Sequence, residues 1–158
     1  MYNHGPPGYD CPFCRLARGD RSALSTQDDV VYHDDTVTAF IPSHFWEHNK
    51  GHVIVIPNTH VENLYDLPDA LGAAIGRMAR RVALALKACY ACDGVSTRQH
   101  NEPGANQEVW HYHLHVFPRY MGDNLYGMPR RATTAEERRP YAAQLRAYFA
   151  AHPPAAEG

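Results

Sequence analysis

Between Trp110 and Arg119 the chain reads Trp-His-Tyr-His-Leu-His-Val-Phe-Pro-Arg, an aromatic and aliphatic run that alternates at every second residue. That period belongs to a β-strand, whose successive side chains point to opposite faces. Tyr112, Leu114 and Val116 then anchor one face in a core, while His111, His113 and His115 project from the other. Neighbouring imidazoles so placed stand about 6 to 7 Å apart at their Cβ atoms, given a rise of about 3.3 Å per residue. One anionic group can be spread across them. Such a strand needs neighbours for its ladder and a covering layer for its apolar face. Three readings of the histidines follow. Core packing is the weakest, because leucine or valine would fill the space without burying titratable groups. A metal site built on His-x-His is the second. A nucleophilic histidine with supporting groups is the third.

The rest of the chain supplies the neighbours. Val30-Val31-Tyr32 and Val37-Thr38-Ala39-Phe40-Ile41, separated by His33-Asp34-Asp35, predict a hairpin. His52-Val53-Ile54-Val55-Ile56-Pro57 is apolar on both faces and predicts a central strand, closed by its proline. Leu71, Ile75, Met78, Val82, Leu86 and Cys89 recur at steps of three or four, with Arg77, Arg80, Arg81 and Lys87 between them. This stripe predicts one long amphipathic helix over about 67–89, ended by Asp93-Gly94. Val95 to His100 predicts a further strand, and Tyr141, Leu145, Tyr148 and Phe149 a short closing helix that can start at Pro140. The expected class is α+β, an antiparallel sheet of about five strands with one long helix packed on it and a short C-terminal helix. A length of 158 residues suits one such domain, over 11–150, between a loose arm at 1–10 carrying Gly-Pro-Pro-Gly and a flexible tail at 151–158.

Charge narrows the function. Fifteen basic residues against 17 acidic ones give a net charge of -2, which offers no footprint for binding nucleic acid through global charge. The 11 histidines gather in 44–60 and 100–115, as titratable groups do at a site. No run approaches the roughly 20 apolar residues of a membrane span, and the first residues lack the basic and apolar regions of a signal peptide. A soluble cytoplasmic protein with no membrane partner is expected. Two Cys-x-x-Cys pairs, Cys11/Cys14 and Cys89/Cys92, do not look like a secreted disulfide framework. The first could be a redox pair, two free thiols or half of a zinc site; only an arm precedes it where a thioredoxin-like pair needs a strand. Joining both pairs in one four-cysteine site would need a far shorter interval than the chain has, and Cys89 continues the apolar stripe of the helix.

Asn101, Gly104, Gln107, Val109 and His111-Tyr112-His113-Leu114-His115-Val116, together with Gly51-His52-Val53-Ile54-Val55-Ile56-Pro57-Asn58-Thr59-His60, closely resemble the histidine-triad family of nucleotide hydrolases and transferases. The resemblance runs from about Cys11 to Tyr126. It implies that His113 is the nucleophile, attacking the α-phosphorus of a nucleoside 5′-phosphoryl conjugate to form a nucleotidyl-histidine that water then hydrolyses. Neutral imidazole suits that task if its other N–H is held by an acceptor, for which a backbone carbonyl is expected. The resemblance further implies that His115 and His52 flank the phosphate, that Gln107 and Asn101 hydrogen-bond to phosphate or leaving group, and that Phe40, Ile41 and His44 help to hold the nucleoside. His44 or Ser43 falls where the family carries an acidic or amide residue for the ribose, which is a departure, and Trp46 and His48 can shape a different base pocket. No magnesium requirement is implied, and the chain has no GxxxxGK[ST] loop.

By the same likeness, some bacterial members complete the zinc site of Cys11 and Cys14 with the residues that correspond to His60 and His111, which would make His111 structural. Pro118-Arg119-Tyr120-Met121-Gly122-Asp123 resembles the dinucleoside polyphosphate branch, where Arg119 could meet a distal phosphate; a solvated arginine is the competing reading. Arg130-Arg131 and Arg138-Arg139 are read as surface charge. The implied protein is a homodimeric hydrolase of dinucleoside polyphosphates or related, purine-bearing conjugates. The alternatives are a phosphoramidase or phosphorylase of the same family, metal-dependent hydrolysis through the triad, and a zinc-stapled nucleotide-binding module without catalysis.

Overall fold

A computed structural model describes residues 2–155. Five antiparallel strands form the main sheet: β1 (Val30–His33), β2 (Val37–Phe40), β4 (Val53–Pro57), β5 (Gly94–Gln99) and β6 (Leu114–Arg119), in the order β1-β2-β4-β6-β5. The hairpin β1–β2 turns on Asp34, whose Oδ1 accepts from the backbone N–H groups of Thr36 and Val37 at 2.8 Å each. The doubly apolar β4 lies in the middle, and all its residues are buried. Alternation divides its side chains between two cores. Val53 and Val55 meet the long helix α2 (Asp69–Tyr90), whose stripe Ile75, Met78, Val82, Ala85 and Leu86 is buried. Ile54 and Ile56 meet the short helix α1 (Pro12–Ala17) through Phe13 and Leu16. Each fully buried aliphatic side chain contributes about 1.5 to 3 kcal/mol of burial, so the two layers together hold the sheet between them. Helix α2 stops at Ala91, which adopts φ 50°, a left-handed cap.

Several expectations need correction. The C-terminal helix α3 runs Ala135–Ala151 and starts five residues ahead of Pro140, because Thr134 and Glu137 form a reciprocal capping box. The connection after β2 contains a strand, β3 (His44–Trp46), paired with β7 (Arg130–Ala132) in a small second sheet. Arg138 is not surface charge. It is buried and clamps the buried Asp29 through Nε at 2.7 Å and Nη2 at 3.1 Å, which fastens α3 to the entry of β1. The N-terminal segment, expected to be a loose arm, lies against the 60–65 loop: Gly5 N donates to Glu62 at 3.1 Å, Asn63 Nδ2 donates to Asn3 at 2.8 Å, and Tyr2 packs edge-on against Tyr65. Of the tail, 156–158 lie outside the described residues.

Gly51 sets the entry to β4. Its φ is +76°, and a Cβ there would stand 2.3 Å from the Tyr141 ring, so only glycine lets α3 close over this turn. The turn delivers His52 onto the face of the sheet opposite α2.

Candidate functional site

The histidine strand divides its three imidazoles. Pairing of β6 begins only at Leu114, so His111 and His113 stand just ahead of the ladder and need not share a face. Tyr112, Leu114 and Val116 do pack into the α2 core, as alternation requires. His111 turns instead toward α1. Its Nδ1 lies 3.4 Å from Cys11 Sγ and 3.5 Å from Cys14 Sγ, and Cys14 Sγ lies 3.2 Å from His60 Nδ1.

These four side chains form the group best suited to a metal among the described residues, with all ligand atoms within 4.8 Å of one another. A tetrahedral zinc with Zn–S of about 2.3 Å and Zn–N of about 2.0 Å would place sulfur and nitrogen about 3.5 Å apart, which is the spacing observed. The second ring nitrogen of His111 lies 2.9 Å from the carbonyl of Pro57, so that nitrogen carries the proton and Nδ1 faces the sulfurs. Without a cation, burial and the neighbouring Cys11 push the Cys14 thiol up to about 12. The donor set is therefore consistent with zinc. Cys89 and Cys92 are not part of it: Cys92 is buried in the α2 core and Cys89 packs against that core.

His113 and His115 face a cavity of about 340 Å³. The carbonyl of His111 lies 2.7 Å from His113 Nδ1, and a carbonyl can only accept, so Nδ1 carries the proton and Nε2 keeps its lone pair. Burial holds His113 near 4 and so neutral at pH 7. His115 lies 5.6 Å from both His52 and Phe117 with its ring near-parallel to each, and its own protonation is pushed far down by burial. His52, 1% exposed, stacks on Phe117 at 4.5 Å and is pushed down to about 3 by burial. Among the described residues neither of its ring nitrogens has a partner, nor does His115 Nδ1. Buried polar atoms are rarely left so, and a cluster of them beside a cavity marks a place where a ligand completes the bonding.

The other expected residues separate. His44 and Phe40 line the cavity, while Ile41 is 0% exposed and points into the α2 core, one residue out of phase with Phe40. Gln107 is buried away from the cavity and fully engaged. Its Oε1 accepts from Glu102 N at 2.7 Å and its Nε2 donates to the carbonyls of Glu62 and Val109. It thereby clamps a loop in which Glu102 and Asn106 hold positive φ values of 65° and 67°. Asn101 likewise serves the backbone, accepting from Leu64 N at 2.7 Å. Arg119 is locked onto Asp123 by two bonds of 2.7 and 2.8 Å and does not line the cavity. His48 lies 3.1 Å from the Asp123 carbonyl, outside the lining, whereas Trp46 contributes to it.

Sequence reasoning passed over Phe13, Arg98, His100 and Glu108, and it read Arg130 as surface charge, yet all five line the cavity. Two had a signal. His100 opens the second histidine-rich segment, and Arg98 precedes it by one strand period. Arg130 reaches the site because β7 pairs with β3, and it holds Glu108 at 2.6 Å. A larger hollow of about 770 Å³ lies between α2, the hairpin and the end of α3, but it holds no cluster of orphaned polar groups.

The HIT domain family matches residues 24–122. The chain is 35% identical to Protein hit of Bacillus subtilis over 111 residues, which cover 70% of this chain and 72% of that protein. It is 27% identical over 117 residues to the adenylylsulfatase HINT3 of Arabidopsis thaliana, covering 74% of this chain and 56% of that one. Among solved structures it resembles a zinc-bound histidine triad family protein from Mycobacterium smegmatis, with a TM-score of 0.74, 31% identity, and coverage of 90% and 94% of the two chains. Matched over residues 24–122, which hold the main sheet and the histidine strand, and 35% identical to a HIT protein over most of both chains, this chain belongs to the HIT, or histidine-triad, family.

Proposed function

We propose that the protein is a nucleotide hydrolase that works through a covalent nucleotidyl-histidine at His113. The observation that carries this reading is His113 itself, a neutral imidazole with Nδ1 committed to the His111 carbonyl, beside a cavity in which His52 and His115 have nitrogens with no partner among the described residues. In the first step Nε2 of His113 forms a bond to the α-phosphorus, the bond from phosphorus to the leaving group breaks, and its electron pair departs with that group. In the second step water forms a new P–O bond and the P–N bond breaks. The nucleoside monophosphate leaves, and the proton lost by water goes to solvent through the neutral imidazole. His115 and His52 offer hydrogen bonds to the non-bridging oxygens as charge develops there. Phe13, Leu24 and Phe40 give an apolar end for the base, and Ser43 with His44, 3.0 Å apart, faces the ribose. The Arabidopsis relative named as an adenylylsulfatase supports a purine nucleoside 5′-phosphoryl substrate.

Cys11, Cys14, His60 and His111 would hold zinc as a staple, fixing the backbone of His111 whose carbonyl orients His113. A homodimer, implied by the family resemblance, completes the reading; sedimentation velocity would check it. The test of the chemistry is direct. Acid quench of the protein with a base-labelled adenosine conjugate should trap label that maps to His113 and vanishes in His113→Ala. Tight mononucleotide binding with no turnover and no adduct would favour a binding module instead.

A further inference from the structure

The cavity floor contains one row of residues that crosses four strands. Phe40 on β2 faces Ile54 on β4, Ile54 faces His115 on β6, and His115 faces Arg98 on β5. With strands about 4.8 Å apart, this row spans about 14 Å, from an aromatic ring, through Ile54 and His115, to a guanidinium. The chemistry changes in one direction along it.

Arg98 differs from three other arginines that the fold uses. Arg119 is bound to Asp123, Arg138 to Asp29 and Arg130 to Glu108. The Arg98 guanidinium instead sits over rings, 4.9 Å from the centroid of Trp46, 5.0 Å from Phe117 and 5.9 Å from Tyr126, with no carboxylate bound to it among the described residues. Its Nε is buried and has no hydrogen-bond partner. Among the described residues, the buried side-chain polar atoms left without partners are Ser25 Oγ, Asn49 Oδ1, His52 Nδ1, His52 Nε2, Arg98 Nε and His115 Nδ1, and all but Asn49 Oδ1 belong to residues that line this cavity. A half-buried cation with no counter-ion is costly, and the aromatic shelf compensates only part of that. A bound anion would supply the rest.

We propose that Arg98 receives the negative charge of the leaving group, so that the substrates are nucleoside 5′-phosphoryl conjugates whose leaving group is itself an anion, a phosphate, polyphosphate or sulfate, and not a neutral amine. The inference rests on the hydrolase reading above and assigns it a substrate class. As the bond between His113 Nε2 and phosphorus forms, the bond to the bridging oxygen breaks and its electron pair stays on the departing oxoanion. That anion needs no proton to leave, and the guanidinium offers it paired N–H donors at the end of the row opposite the base.

Comparing kcat/KM on adenosine 5′-phosphosulfate and diadenosine triphosphate with that on adenosine 5′-phosphoramidate, whose leaving group is neutral ammonia, tests the assignment. In Arg98→Gln the ratio of anionic to neutral turnover should fall about 10- to 100-fold, the worth of one charge-assisted hydrogen bond, and Arg98→Lys should restore part of it. An unchanged ratio, including a parallel loss on all three substrates, overturns the proposal. Sulfate and polyphosphate arms that respond differently identify which oxoanion the site prefers. Calorimetry provides a readout independent of turnover: wild-type protein should bind ADP more tightly than AMP, and Arg98→Gln should erase the preference. Equal wild-type affinities overturn the proposal, whereas an ADP preference without turnover of any conjugate sinks the hydrolase reading and leaves the anion site standing.

Discussion

The two ends of the histidine motif, His111 and His115, separated by three residues of chain, treat their polar atoms in opposite ways. Around His111 every donor has a neighbour: two sulfurs and a second imidazole lie within 4.8 Å, and the far ring nitrogen is bonded to Pro57. Around His115 the nitrogens of His52, one of His115 and the Nε of Arg98 have none. Both regions are buried, so burial alone does not separate structure from chemistry. Satisfaction does. A group whose bonding is complete within the fold holds the fold together, and one that is incomplete waits for a ligand.

Replacing His113 should break this contrast most severely on the chemical side. His113→Ala should lower turnover of adenosine conjugates at least about 10⁴-fold, as loss of a covalent nucleophile does, with the melting temperature little changed. Rates within tenfold of wild type would remove His113 from the mechanism. On the structural side, stripping metal with a chelator, or Cys11→Ser with Cys14→Ser, should cost about 4 kcal/mol if the free ion normally stands near a thousand times its dissociation constant. For a chain of this size that lowers Tm by roughly 10 °C, and metal analysis should fall from about one zinc per chain to none. Loss of activity with an unchanged Tm would mean that the ion belongs to the chemistry instead.

Much of this arrangement was legible in the sequence, and what was hidden has a common cause. The five strands and α2 follow from local periodicity, because a face of one strand or helix is written in neighbouring residues. The cysteine–histidine cluster was legible only through the family resemblance, since Cys11 and His111 are 100 residues apart. What could not be read was partnership. Gln107 and Asn101 look like ligand-binding amides, but their bonds run to backbone groups of the 60s loop. Arg119 lies close to the triad in sequence and is consumed by Asp123, whereas Arg98 becomes part of the site only through its register opposite His115. Residue type announces a capacity for bonding; the fold decides where it is spent.

A smaller effect should appear in the pH dependence of folding. Unfolded His52 takes up a proton near pH 6.5, while burial delays that event to about pH 3 in the folded chain. Between those values the unfolded state binds more protons, so stability falls as pH falls, by up to about 1.4 kcal/mol per pH unit for one such histidine. Urea unfolding at pH 7.5 and 5.0 should therefore show a drop about 2 kcal/mol smaller in His52→Gln than in wild type. The difference between the two proteins cancels the contribution of the cysteine–histidine cluster, which both share. Identical drops would mean that His52 takes up its proton in the fold at the same pH as in the unfolded chain.

The finest discrimination is between the two arginines on one face of the sheet. Arg119 and Arg98 both approach Tyr126, at 5.2 and 5.9 Å, and both lie within reach of the histidine strand. Distance from the triad thus gives little reason to choose between them, but charge balance does. Asp123, buried and also bonded by Asn49 and by the backbone of Tyr120 and Leu125, is held well below the usual carboxylate range chiefly by Arg119, so the pair carries no net charge toward a ligand. Arg119→Gln should leave the ratio of anionic to neutral leaving-group turnover within about twofold of wild type. Its cost should appear in folding, at about 1 to 2 kcal/mol, because Asp123 loses its cation while keeping its other three donors. Arg98→Gln should show the reverse, a changed ratio with a smaller loss of stability, since removing an unpaired cation strands no carboxylate. If Arg119→Gln shifts the ratio as strongly as Arg98→Gln, the two arginines act as one anion site and Asp123 does not neutralise Arg119 as its geometry implies.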